Sequence, residues 1–156
     1  MKYTKLGVGA VCILSMLNTA HAEGQHDRSL IALEAIDHNY EYISMERANF
    51  FFNIISNALN AVLPMTVDED LTATGFEADP YKTIFSYKLN ADKYYSESDR
   101  RELKARLSSK ETIRIFCDGM FGNEYQKANN TKVFLNYSDA YDKEVALVEL
   151  NKHKCR

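Results

Sequence analysis

Cysteine, histidine and clustered acids are the residue types in this chain that could do chemistry, so each is weighed by the partners standing at the spacing that chemistry needs. Of three cysteines, Cys117 and Cys155 flank the last part of the chain, and a bridge between them closes a loop of 38 residues. Glu34 and His38 stand at i, i+4, a helical metal-ligand spacing, but two ligands without a third do not make a site, and no metal is expected. Asp68, Glu69 and Asp70 offer a carboxylate pair for hydrolysis. Neighbouring acids in a turn are ordinarily solvated, and nothing around them raises one pKa as general acid catalysis requires. G-x-S-x-G, P-loop and G-x-G-x-x-G patterns are absent, and Gly119-Met120-Phe121-Gly122 has the wrong spacing to cradle a phosphate. His153, beside Cys155, reads as part of a chain-end cap. The expectation is a protein that is not an enzyme, with no catalytic residues and no cofactor.

The start of the chain sets the compartment. Met1-Lys2-Tyr3-Thr4-Lys5 is followed by an apolar run from Leu6 to Leu17 and by Ala20-His21-Ala22, the layout of a secretory signal peptide cleaved after residue 22. No leucine stands three places before Cys12, so lipidation is not expected. No later window is apolar for long enough to span a bilayer, and the exported chain is expected to be soluble. Cleavage removes Lys2 and Lys5 and no acid, which takes the net charge from −3 to −5. That balance leaves no basic patch for phosphates and argues against nucleic acid as a partner. It also removes Cys12, and two cysteines in an oxidising compartment most simply form a structural disulfide, Cys117 to Cys155.

Residues 23–156 have the length of a single domain. Apolar positions at Leu30, Leu33, Ile36, Tyr40, Ile43, Ala48, Phe51, Ile55, Ala58, Leu59 and Val62 predict a long N-terminal helix that ends at Pro64, with Asn39 as a candidate kink or break. Thr66 to Gly75 is an irregular strand, Gly75 to Pro80 a turn, and Tyr81 to Asn90 a regular strand with one aromatic face. Ser96 or Ser98 caps a second helix from Asp99 to Leu107. Residues 112–116 fit helix or strand equally. Thr131 to Ser138 and Glu144 to Leu150 form a hairpin around Asp139 to Lys143. The fold class predicted is α+β, a long N-terminal helix packed on an antiparallel sheet of about four strands in the order α-β-β-α-β-β, stapled by one disulfide.

That order of features carries a resemblance: a helix ending in Leu63-Pro64-Met65, then Val67-Asp68, a strand ending in Tyr87, a helix, Cys117, a strand with Tyr137, and a terminal Cys155. From about Ala58 onward it resembles a loose family of short exported bacterial proteins of unassigned function. Members carry a glycine before the penultimate strand where this chain has Asn129-Asn130, and asparagine is the other residue that tolerates left-handed backbone. The resemblance implies a bacterial, periplasmic or secreted location and brings no catalytic residues.

Surface chemistry then points to binding. Tyr40, Tyr42, Tyr81, Tyr87, Tyr94, Tyr95, Tyr125, Tyr137 and Tyr141 suit either an interface or the rim of a small sheet. Asn129-Asn130-Thr131 and Asn136-Tyr137-Ser138 are glycosylation sequons without meaning in a bacterial protein. Phe50, Phe51 and Phe52 point in three directions about 100° apart, so one packed face cannot hide all three. Phe51 shares a stripe with Ile55, Ala58 and Val62, which leaves Phe50 or Phe52 as the exposed, partner-binding ring. The function expected is a non-catalytic periplasmic or secreted accessory protein that binds another envelope or secreted protein, within an envelope, pilus or secretion assembly. The alternative is a small apolar-ligand binder with a cavity between helix and sheet lined by Phe51, Ile55, Phe85 and Tyr87.

Overall fold

A computed structural model describes residues 24–90 and 96–156; the expected signal peptide, Tyr94 and Tyr95 lie outside these. Five strands make one sheet in sequence order: β1 (Met65–Asp68), β2 (Leu71–Asp79), β3 (Lys82–Leu89), β4 (Lys132–Ser138) and β5 (Glu144–Leu150). Their alternation is the cause of the sheet's two unlike faces. Thr83, Tyr87, Leu89, Val133, Leu135, Tyr137, Val148 and Leu150 are buried on one face, while Lys82, Lys132 and Leu147 are exposed on the other. The five described helices lie on the buried side: α1 (Gln25–Ala32), α2 (Met45–Asn60), α3 (Glu97–Leu107), α4 (Lys110–Met120) and α5 (Glu124–Ala128).

The α+β class holds, and several details differ from the expectation. The irregular first strand is two strands, because the Asp68 side chain accepts the Asp70 amide at 2.8 Å and turns the chain between β1 and β2. Gly75 to Phe76 and onward to Asp79 is strand and not turn. A bulge between Ala73 and Gly75 absorbs the glycine, and a Cβ there would meet the Ser86 Cβ at 3.4 Å. The reversal comes later, at Asp79-Pro80-Tyr81, where the Asp79 carboxylate accepts the Tyr81 amide. Finally, β3 and β4 pair in parallel, from Lys82 beside Lys132 to Lys88 beside Ser138. A parallel pair needs a long crossover, and here α3, α4 and α5 form it. Residues 112–116 are therefore helical, inside α4, whose N-cap Ser109 accepts the Thr112 amide.

The long N-terminal helix is two helices. Residues 33–44 leave the helix through Glu34 at φ 51° and Tyr40 at φ 63°, and the Asp37 carboxylate accepts the amides of Asn39 and Glu41, both at 2.9 Å. Ile36 and Tyr42 then make an isolated bridge. Asn129 clamps this loop from the far end of the crossover: its amide group donates to the Tyr40 and Tyr125 carbonyls, and its oxygen accepts from the Tyr42 N–H. α1 is moored in the same way. Asp27, buried, accepts the Glu124 and Tyr125 amides at 2.9 Å each, at the start of α5. Gly24, at φ 73°, leaves room for that carboxylate, since a Cβ would stand 3.1 Å from its Oδ2. His26 packs edge-on against Phe51, and burial lowers its pKa against the opposing pull of Asp27.

Two apolar clusters result. One joins Leu30, Ile36, Ala48, Phe51, Phe52 and Tyr125 between α1, α2 and α5. The larger one joins the buried sheet face to Leu103, Leu107, Phe116, Met120 and Phe121. Cys117 and Cys155 are bonded, with Cα atoms 5.2 Å apart, and tie α4 to the residues after β5. Closing a loop of 38 residues restricts the unfolded chain by about 4 kcal/mol in the chain-entropy account. Tyr87 and Tyr137 stack with ring centroids 5.2 Å apart, and the Tyr137 hydroxyl is buried without a hydrogen-bond partner among the described residues. An orphan hydroxyl costs about 1–3 kcal/mol. Tyr137→Phe therefore retains or raises the unfolding free energy in urea, and a loss above about 1 kcal/mol would show that the hydroxyl holds a stabilising bond.

Candidate functional site

The residues with possible chemistry are held in structural work. Glu34 lies outside a helix at positive φ and pairs with Arg47, so the helical spacing that joined it to His38 does not exist. Among the described residues no group of three or more His, Cys, Asp or Glu side chains could hold a metal. Asp68 and Asp70 form the β1–β2 turn. His153 is exposed, one turn from Arg156. Tyr87, Tyr125 and Tyr137 are buried and Tyr42 is half-buried. Their phenol pKa values are all raised, by burial first; neighbouring tyrosines add to this at Tyr42 and Tyr87, and Asp27 adds to it at Tyr125. None can ionise near neutrality. The four residues expected to line a ligand cavity are divided: Phe51 and Ile55 belong to the α1–α2–α5 cluster, and Phe85 and Tyr87 to the sheet cluster.

What remains is surface. Ser44 caps α2 by accepting the Arg47 amide, and the helix then runs along β2, which Asn60 and Ser56 grip through the backbone of Phe76 and Ala78. Its inner sector is Ala48, Phe51, Phe52 and Ile55. Phe52 is only 2 % exposed and packs against Phe51 and Tyr125 with centroids at 5.3 and 5.7 Å, which removes it as a candidate partner-binding ring. The reason is angular: Phe52 is one turn beyond Ala48 and falls in the packed sector, whereas Phe50 is turned about 160° away from it. Phe50 is 59 % exposed, and Ile54, one turn on, is 51 % exposed. Ala58 and Val62, expected on the Phe51 stripe, are exposed as well, Val62 because it lies beyond the end of α2 at Asn60. Asn49, Asn53 and Asn57 border Phe50 and Ile54, and from Ala48 to Val67 no residue carries a charge.

Three solved structures are similar in part, two of them type II secretion pilotins. With the pilotin of Vibrio vulnificus the TM-score is 0.49 at 11 % identity, over 72 % of this chain and 94 % of that one. With the pilotin of Vibrio cholerae it is 0.46 at 12 % identity, over 71 % and 94 %. A Pseudomonas aeruginosa protein described as secreted gives 0.46 at 12 % identity, over 73 % and 97 %. No protein-family model and no curated protein matches the chain. Among the described residues no helix is long and apolar enough to cross a membrane.

Sequence reasoning reached Phe50 and missed Ile54, although the i, i+4 spacing of Ile54 from Phe50 carries the signal. It also gave Asp139 no more than a place in a polar turn. That residue is buried, accepts the Tyr141 and Lys143 amides at 2.9 and 3.0 Å, and receives Arg100 Nη2 of α3 at 2.6 Å. Burial opposes its ionisation, but the two amides and the guanidinium outweigh that and hold its carboxyl below the ordinary value. A carboxyl whose pKa falls on folding stabilises the fold above its unfolded pKa, and that contribution is lost as pH falls through the folded value. Asp139→Asn should therefore lower Tm at pH 7, and the gap to wild type should narrow as pH falls below the ordinary carboxylate range. Thermal melts across pH 2–7 check this, and a gap independent of pH would contradict it.

Proposed function

We propose that this chain is an exported, non-catalytic accessory protein that binds another envelope or secreted protein through the outer face of α2. The observation that carries the reading is the pairing of exposed Phe50 and Ile54, one turn apart, in a stretch without charge. Large apolar side chains on a solvent face have to be kept from non-specific association, and a folded domain that retains them together has a surface suited to a complementary apolar one. Interface cores are depleted in charge and enriched in aromatic anchors of this kind. The disulfide supports an oxidising compartment. The partner fitting this face presents an uncharged apolar patch, and the binding is only weakly sensitive to salt, since the contact holds no ion pair to screen.

The test compares neighbouring phenylalanines. Phe50→Ser should leave stability within about 1 kcal/mol of wild type, as surface substitutions do, and should abolish recovery of the specific envelope partner by the tagged protein from its own source. Phe52→Ser should cost about 3–5 kcal/mol, since it empties a packed site. If Phe50→Ser unfolds the domain to the same extent, the ring is core and this face binds nothing.

A further inference from the structure

We infer that a second, independent surface, the outer edge of β5 beside α3, accepts an extended acidic segment of a partner protein as an added strand. β5 ends the sheet, and among the described residues its one neighbouring strand is β4. A free edge strand presents N–H and C=O groups without ladder partners, a template that short length, proline or a bulge ordinarily blunts. The opposite edge is blunted in this way: β1 has four residues, follows Pro64, and is irregular between Thr66 and Asp68. β5 has seven residues and no proline, and its bulge at Val145 leaves a regular ladder from Ala146 to Leu150.

α3 packs on β5, and a groove of about 300 Å³ lies between the helix and the start of the strand. Arg100, Arg101 and Lys104 line it from α3, and Lys143 lines it from the strand side, against two acids, Glu97 and Glu144. The helical positions are one face, at i, i+3, i+4 and i+7 from Glu97, flanking the buried Leu103 and Leu107. Asp139 engages Arg100, but among the described residues no ion pair uses Arg101, Lys104 or Lys143. Three cations gathered in a chain of net charge −3 repel one another, and an anionic guest relieves that repulsion. An edge strand flanked by a helix holds peptides through main-chain hydrogen bonds, with alternate side chains giving specificity. In an added strand, every second side chain faces the helix layer and meets Arg101 and Lys104, so acids belong there. The intervening side chains lie beside Leu147, exposed on the open sheet face, so apolar residues belong there.

The experiment uses the full chain and a short fluorescent peptide that alternates glutamate with valine, read by anisotropy. Saturable binding is expected, weakened roughly tenfold or more by raised salt and by the double variant Arg101→Glu/Lys104→Glu. That variant should gain binding to the peptide with lysine in place of glutamate, which shows that it is folded. N-methylation of alternate peptide amides should abolish binding, while Phe50→Ser should leave it unchanged and so separate this site from the α2 face. Absence of saturable binding, equal affinity for the lysine peptide, or equal affinity for the N-methylated peptide would each overturn the inference, the last by reducing the groove to an ionic patch.

Discussion

Parallel pairing of β3 with β4 is the constraint on which the rest of the molecule depends. Two parallel neighbours cannot be joined by a tight turn, so the chain must travel back along the whole sheet before β4 begins. The returning segment, α3 to α5, supplies Leu103, Leu107, Phe116 and Met120 as the cover of the buried sheet face. Its far end supplies the mooring points of the N-terminal layer. Without the crossover, the buried face of β3 to β5 loses its cover and α1 loses its mooring on α5.

Short polar side chains then fix how the layers meet. Asp27 places α1 on the first amides of α5, Asn129 holds the 33–44 loop, and Asp139 joins the β4–β5 turn to α3. Each is buried or half-buried: the two aspartates accept from backbone amides or a guanidinium, and Asn129 both donates to carbonyls and accepts an amide, so burial without those bonds would be costly. The disulfide adds a covalent tie between crossover and chain end. Apolar burial provides the bulk of the stabilisation, and these polar bonds select one arrangement of the layers.

Local pattern was legible in the sequence, and distant pairing was not. β3 follows from alternation, the β4–β5 hairpin from two runs rich in β-branched, aromatic and aliphatic residues around a polar turn, and Ser96 caps α3 as its position before the acids suggests. Asn130 at φ 55° occupies the left-handed position that glycine would otherwise fill. The continuous helix was a false reading because Ile36, Tyr40 and Ile43 keep helical spacing by chance, while the residues that hold them out of a helix include Asn129, far along the chain. The parallel register was invisible for the same reason. Of the candidate site, Phe50 could be read from the geometry of three consecutive rings, but excluding Phe52 required knowing that α5 brings Tyr125 over it.

α2 thus has two apolar sectors with different duties: Ala48, Phe51, Phe52 and Ile55 secure the helix, and Phe50 and Ile54 face solvent with no structural task. The direct test of that division is photo-crosslinking in the producing cell with benzoylphenylalanine placed singly at positions 50 and 54, and at exposed Lys127 as control. A discrete adduct with the same envelope protein from both 50 and 54, absent from 127, is the predicted result. No adduct from either position, or the same adduct from all three, would contradict the assignment of this face to partner binding.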